Sequence, residues 1–182
     1  GAPTDDGMPK GYVSYVPSNY VNLWWALRGR TGRNDVFVDL GCGAGRAVCF
    51  AARTTRMKRC MGVEYTPELA ALAERNAAAV AGRTETPVEI VCADATQWTV
   101  PDDVTVVYLF NPFMDGVFDG ALARLVESID RAPRMVTVIY SFPTQRDRLL
   151  ATGRARLVAT MKGRRRDPEK ALTLTTEIYE LT

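Results

Sequence analysis

The most constraining feature of this 182-residue chain is a regular alternation of two kinds of segment. Short apolar, β-branched runs recur at Val36–Leu40, 61–65, Val88–Cys92, 104–110 and 135–142. Each reads as a buried strand. Helical patterns lie between them. Thr66 as N-cap, Pro67 in the first turn and Glu68 near the positive end begin one helix. Leu69, Leu72, Ala73 and Val80 share a face of it, and Gly82 ends it. Asp115 caps a second helix, with Phe118, Leu122, Leu125, Val126 and Ile129 on its buried side and Pro133 as its stop. Shorter helices are expected at 17–27 and 145–151. Residues 154–161 and 172–181 alternate like strands, and the basic loop 162–170 joins them as an antiparallel hairpin. The pattern predicts a three-layer α/β sandwich whose seven-stranded sheet is mostly parallel, with an antiparallel C-terminal hairpin. At ~100–200 residues per domain this is one compact domain. Residues 1–33 form an N-terminal segment or lid carrying a helix, and 34–182 form the body.

Composition excludes several chemistries. The chain has no histidine, so a Ser-His-Asp or Cys-His nucleophile system is impossible. The usual proton carrier near neutral pH is missing too. Cys42, Cys49, Cys60 and Cys92 form no C-x-x-C pair, and no metal site is expected. Free cysteines suggest a reducing compartment, making cytoplasmic the expected location. No apolar run approaches the ~20 residues of a membrane helix, so no membrane partner is expected. A net charge of +2 does not by itself point to nucleic acid.

The first strand runs into Asp39-Leu40-Gly41-Cys42-Gly43-Ala44-Gly45-Arg46. Glycines permit a sharp strand-to-helix turn and close approach of a ligand to the backbone. A dinucleotide fingerprint, G-x-G-x-x-G, would need glycine or alanine at position 46, which is Arg46. Asp39 also fits poorly beside a pyrophosphate and better beside a ligand carrying positive charge. This arrangement resembles motif I of the class I S-adenosylmethionine-dependent methyltransferases, and the resemblance extends over roughly residues 34–142. It implies a Rossmann-like fold and S-adenosyl-L-methionine as cofactor. In that family an acid at the end of the second strand holds the ribose hydroxyls, and Glu64 of Val63-Glu64-Tyr65 occupies that place. An acid after the third strand binds the adenine amino group, and Asp94 of Cys92-Ala93-Asp94-Ala95 matches it. The implied cofactor set is therefore Asp39, Gly41, Cys42, Gly43, Gly45, Glu64, Tyr65, Asp94, Ala95 and Asn111.

The fourth strand ends in Asn111-Pro112-Phe113. This is similar to the family's acceptor motif of Asn, Asp or Ser followed by Pro-Pro and an aromatic residue, with one proline instead of two. The resemblance implies that Asn111, Pro112 and Phe113 aim a nitrogen lone pair at the methyl group. Read without it, Asn and Pro at a strand end do only turn chemistry. Tyr12, Tyr15, Pro17 and Tyr20 cluster ahead of the first strand, and Tyr15 is counted with the cofactor set as part of a lid. The expected function is methyl transfer to a nitrogen on a protein or small molecule, with oligomeric state open. An RNA methyltransferase, a catalytically silent cofactor-binding module and a dinucleotide-binding oxidoreductase are the alternatives.

Overall fold

A computed structural model describes residues 20–162 and 175–182. Its elements in chain order are α1 (Tyr20–Leu27), β1 (Val36–Leu40), α2 (Arg46–Thr54), β2 (Arg59–Glu64), α3 (Pro67–Ala81), β3 (Val88–Cys92), β4 (Val106–Phe110), α4 (Asp115–Arg131), β5 (Val136–Ser141), α5 (Arg146–Ala151), β6 (Ala155–Met161) and β7 (Thr176–Leu181). The seven strands form one sheet in the order β3-β2-β1-β4-β5-β7-β6. The first five pair in parallel, and β7 runs antiparallel to both β5 and β6.

Side chains along β1 alternate between two cores. Val36, Val38 and Leu40 enter one with Phe118, Leu125 and Ile129 of α4. Phe37 enters the other with Leu23 and Leu27 of α1 and Ala47, Val48 and Ala51 of α2. Both faces of the central strands are dry, which is why their sequences are continuous apolar runs. The edge strands β3 and β6 are only partly buried.

Several boundaries differ from expectation. β4 begins at Val106, because Thr105 spends its hydroxyl on Asp35 and accepts the Val36 N–H, closing the amino end of the sheet. β5 stops at Ser141, because Phe142 turns left-handed with φ 52°. The buried face of α3 is Ala70, Ala73 and Ala77, while Leu69, Leu72 and Val80 lie at its partly covered margins. Alanines win because α3 lies against the glycine turn: a Cβ on Gly45 would sit 3.1 Å from the Ala73 Cβ. Thr66 is the N-cap by position, but its hydroxyl makes no capping bond. Gly82 caps the helix with φ −78°, so its left-handed freedom is unused. Met114, not Asp115, is the N-cap of α4.

Gly62, in the middle of β2, has no room for a side chain. A Cβ there would lie 2.7 Å from the Cys42 Sγ and 3.0 Å from a Val48 methyl. Gly62→Ala is expected to destabilise the fold by about 1–3 kcal/mol through overpacking, measured as a lower urea midpoint at unchanged m-value.

Candidate cofactor and acceptor site

The sheet reverses its winding between β1 and β4, and in open α/β sheets ligands bind outside the carboxyl ends of strands at that switch point. Register brings the candidate residues to this edge. Asp39 of β1 is level with Gly62 of β2 and Tyr108 of β4, and Glu64 closes β2 level with Cys92 of β3. Asp94 follows two residues after β3, and Asn111 follows β4 directly.

The glycine turn is tied down by backbone bonds. Gly41 and Cys42 both donate N–H to the Val63 carbonyl, at 2.8 and 3.0 Å. Gly43 donates to Glu64 Oε2 at 2.8 Å, and Glu64 Oε1 accepts the Thr66 N–H at 2.9 Å. One carboxylate thus joins the turn to the start of α3. Gly41 takes φ 80°, and a Cβ on it would lie 2.4 Å from the Pro112 Cβ. Only glycine lets Pro112 rest on the turn, and this contact seats the Asn-Pro-Phe segment against the cofactor loop.

Asp39 and Glu64 are buried, with 4% and 7% exposure. Among the described residues neither pairs with Lys or Arg. Burial, and then the neighbouring Glu64 charge, pushes the Asp39 pKa up to about 8. The site therefore favours an incoming positive group. Asp94 is anchored by its own turn, its Oδ1 accepting the Thr96 N–H and hydroxyl, each at 2.8 Å.

Asn111 is buried and holds φ 44°, a left-handed conformation that Asn tolerates better than most residues. Its Oδ1 accepts a hydrogen bond from the Thr144 hydroxyl. Phe142, Thr144 and the adjoining Gln145 went unnoticed in the sequence. Gln145 accepts the Asp115 N–H at 3.2 Å, so the β5 end also orders the start of α4. A signal was available: Phe142-Pro143 ends β5 as Asn111-Pro112 ends β4, and both residues before proline are left-handed. Such strain costs roughly 1–3 kcal/mol per residue and gathers where function needs it.

The structure does not bring every candidate side chain to the open edge. Cys42 turns inward against Gly62, and burial raises its thiol far above the reactive range. Ala95 and Phe113 belong to the core shared with Leu109 and Phe118. The Phe113 ring, expected beside the acceptor, is 3% exposed, because the left-handed Asn111 and the following proline turn the chain back over the sheet. Gly45 is a packing position against Ala73. Tyr65 is exposed beside Glu64. Tyr20 stacks on Phe50, while Tyr12, Tyr15 and Pro17 lie outside the described residues. Among the described residues no Cys, Asp or Glu group could hold a metal ion, and no helix is long and apolar enough to cross a membrane.

Residues 37–135 match a family model described as a methyltransferase domain. The chain belongs to that family: it is a class I methyltransferase that uses S-adenosylmethionine. The dinucleotide-binding alternative falls with this match. An RNA methyltransferase from Salinibacter ruber, solved with S-adenosyl-L-homocysteine, is 24% identical with a TM-score of 0.57, over 92% of this chain and 93% of that one. Magnesium protoporphyrin IX methyltransferase from Synechocystis, solved with S-adenosylmethionine, is 16% identical with a TM-score of 0.57, over 87% and 74%. Precorrin 8W decarboxylase from Methanobacterium thermoautotrophicum is 18% identical with a TM-score of 0.58, over 93% of each chain. These likenesses establish a shared fold. No curated protein sequence matches at a significant level.

The residues present fit the cofactor. The buried Asp39–Glu64 pair meets no Lys or Arg among the described residues, and a sulfonium amino acid carries the positive charge that it lacks.

The raised Asp39 pKa has a sign that can be tested. The folded state holds this proton up to about pH 8, whereas an unfolded aspartate releases it near pH 4. Between those values rising pH favours the unfolded chain, and above about 8 the penalty is complete. Asp39→Asn is expected to remove this decline, so that its melting temperature exceeds the parent's most at pH 9 and least near pH 4, read by thermal melts across that range.

Proposed function

We propose that the chain transfers a methyl group from S-adenosylmethionine to a nitrogen acceptor held by Asn111. The observation that carries this reading is the contact of Pro112 with Gly41, which joins the acceptor segment directly to the cofactor turn. Glu64 and Asp39 are the proposed contacts to the ribose and the amino group, and Asp94 to the adenine. Gly41 and Gly43 supply close-approach backbone, and Tyr65, Ala95 and Tyr15 remain candidates from the sequence. When bound, the cofactor supplies an electrophilic methyl on a sulfonium, so its thioether leaves without needing a proton. The protein's tasks are alignment and exclusion of water, and alignment alone can supply up to about 7–11 kcal/mol.

Asn111 Oδ1 already accepts one hydrogen bond from Thr144, which fixes the amide plane. Its second lone pair is the acceptor for an N–H of the substrate, turning that nitrogen's own lone pair toward the methyl. A neutral amine or amide nitrogen needs little base, which suits a chain without histidine. A protein side chain or small molecule carries this nitrogen in the reading drawn from overall charge. A nucleobase nitrogen is the same chemistry to Asn111.

Residues 1–33 lead into a catalytic body at 34–182. Asn22 of α1 donates to the Thr176 hydroxyl at 3.2 Å, fastening this lead-in to β7. Cys42, Cys49 and Cys60 are free and buried, which supports a reducing, cytoplasmic setting.

Two substitutions separate the two halves of the site. Glu64→Ala is expected to weaken S-adenosylmethionine binding by more than about tenfold, by calorimetry. Asn111→Ala is expected to leave that affinity within about twofold while release of S-adenosylhomocysteine falls on the order of 100-fold, with the best acceptor from a panel of amines, peptides and RNAs. Equal loss of both properties in Asn111→Ala would move this residue to the cofactor shell.

A further inference from the structure

Charge along this chain is unevenly distributed. From Tyr20 to Lys58 there are seven basic residues and two acids. Of the acids, Asp39 is buried at the cofactor site, and Asp35 accepts bonds from the Gly32 N–H and the Thr105 hydroxyl. Among the described residues, the ion pairs of Arg59, Arg124, Arg131, Arg146, Arg148, Arg154 and Arg156 all lie beyond this stretch. Arg28, Arg30, Arg33, Arg46, Arg53 and Arg56 are exposed, and none meets a carboxylate of the described residues. A net charge of +2 conceals this because the acids are concentrated elsewhere.

Five of these arginines, Arg28, Arg33, Arg46, Arg53 and Arg56, line concave surfaces. A hollow of about 430 Å³ lies between the α1–β1 loop and the end of α2, lined by Trp24, Arg28, Arg33, Thr54 and Arg56 among others. A second, of about 480 Å³, runs along α2 toward the glycine turn, with Arg46, Phe50 and Arg53 in its wall. Both are lined by Thr54, so the two hollows adjoin at the end of α2 and together follow this helix as a track, roughly 13 Å for its nine residues. At its lower end Trp24 and Trp25 stand edge to face, 4.8 Å apart, with Trp25 52% exposed. The Arg28 guanidinium lies 4.8 Å over Trp24 and 5.8 Å from Trp25, which holds both rings in a cationic setting.

We propose that this track docks a single-stranded polynucleotide, its phosphates on the arginines and a base on the tryptophan pair. Uncompensated arginines with exposed rings among them are the combination that a strand uses: charge follows the backbone, and rings stack bases without regard to sequence. An anionic bilayer fits this surface less well. Leu23, Ala26 and Leu27 of α1 are already spent on the core, so the outward apolar residues of this helix are confined to Val21, Trp24 and Trp25. The arginines also line hollows that a flat surface cannot enter. The docking involves no step of methyl transfer, so its failure would leave the catalytic reading untouched.

The test is fluorescence anisotropy of the full chain with a labelled oligouridylate of about 20 nucleotides, enough for at least one single-strand site. Saturable binding that weakens with salt is expected. The triple variant Arg28→Ala, Arg33→Ala, Arg56→Ala should lose at least about tenfold in affinity and lower the log–log salt slope by about 2, near 0.7 for each phosphate contact. The matching triple change to lysine should keep the slope. Trp25→Ala should weaken binding about tenfold, while Arg156→Ala, on β6, should change nothing. Absence of saturable binding, indifference to the arginine triple, or binding to phosphatidylserine vesicles with none to the oligonucleotide would each overturn the proposal.

Discussion

The carboxylate of Glu64 is the tie on which the carboxyl edge of the sheet depends. One oxygen takes the Gly43 N–H and the other takes the Thr66 N–H, so a single side chain joins the glycine turn of β1 to the first turn of α3. Both donors belong to backbone with no regular strand or helix partner at that point, and a buried N–H left unpaired would be costly. The same group raises the cost of ionising Asp39 beside it. The edge therefore resists ionisation of Asp39, and among the described residues no Lys or Arg relieves that resistance. A cationic ligand relieves it, which is the physical reason that this turn suits a sulfonium amino acid better than a pyrophosphate.

Around that tie, close contacts replace flexible spacing. Pro112 rests on Gly41, Ala73 rests on Gly45, and Cys42 fills the space left by Gly62. Each contact works because one partner lacks a side chain or carries a minimal one. Together they lock β1, β2, α3 and the segment after β4 into one rigid corner. Thr144 reaches that corner from the end of β5 and fixes the amide of Asn111. Elements that bind the cofactor and elements that face the acceptor are thus mechanically continuous.

The sheet was legible in the sequence because strands buried on both faces must be continuously apolar, and 36–40 and 106–110 carry that mark plainly; 88–92 carries less of it, being an edge strand with Glu89 and Cys92 exposed. Ends were less legible. Phe142 stops β5 through a left-handed backbone that nothing in its side chain announces, and Met114 caps α4 although Asp115 is the better capping residue on paper. The face of α3 was misread because leucine outranks alanine in apolarity, whereas the narrow gap beside Gly45 admits only alanine. Asp39, Glu64 and Asp94 could be placed from strand ends alone. Phe113 could not, since its direction depends on the backbone sign at Asn111. Thr144 was invisible because its role comes from adjacency in the sheet and not in the chain.

Distribution of charge follows from the same architecture. The helices and loops that flank β1 on the α2 side carry arginines that meet no carboxylate among the described residues, whereas those near α4, α5 and the C-terminal strands carry arginines locked to Asp102, Asp119, Asp130, Glu177 or Glu180. Paired arginines on that side serve the fold, since several bridge elements distant in sequence. Among the described residues, the arginines on the α2 side make no internal bond beyond the contacts of Arg28 and Arg46 with aromatic rings and of Arg30 with the Trp25 carbonyl. Holding six like charges on one exposed region carries a repulsive cost that screening by salt reduces but does not remove. A surface that bears this cost without structural return is matched to an anion outside the chain, and its continuity along α2 gives that anion an extended shape.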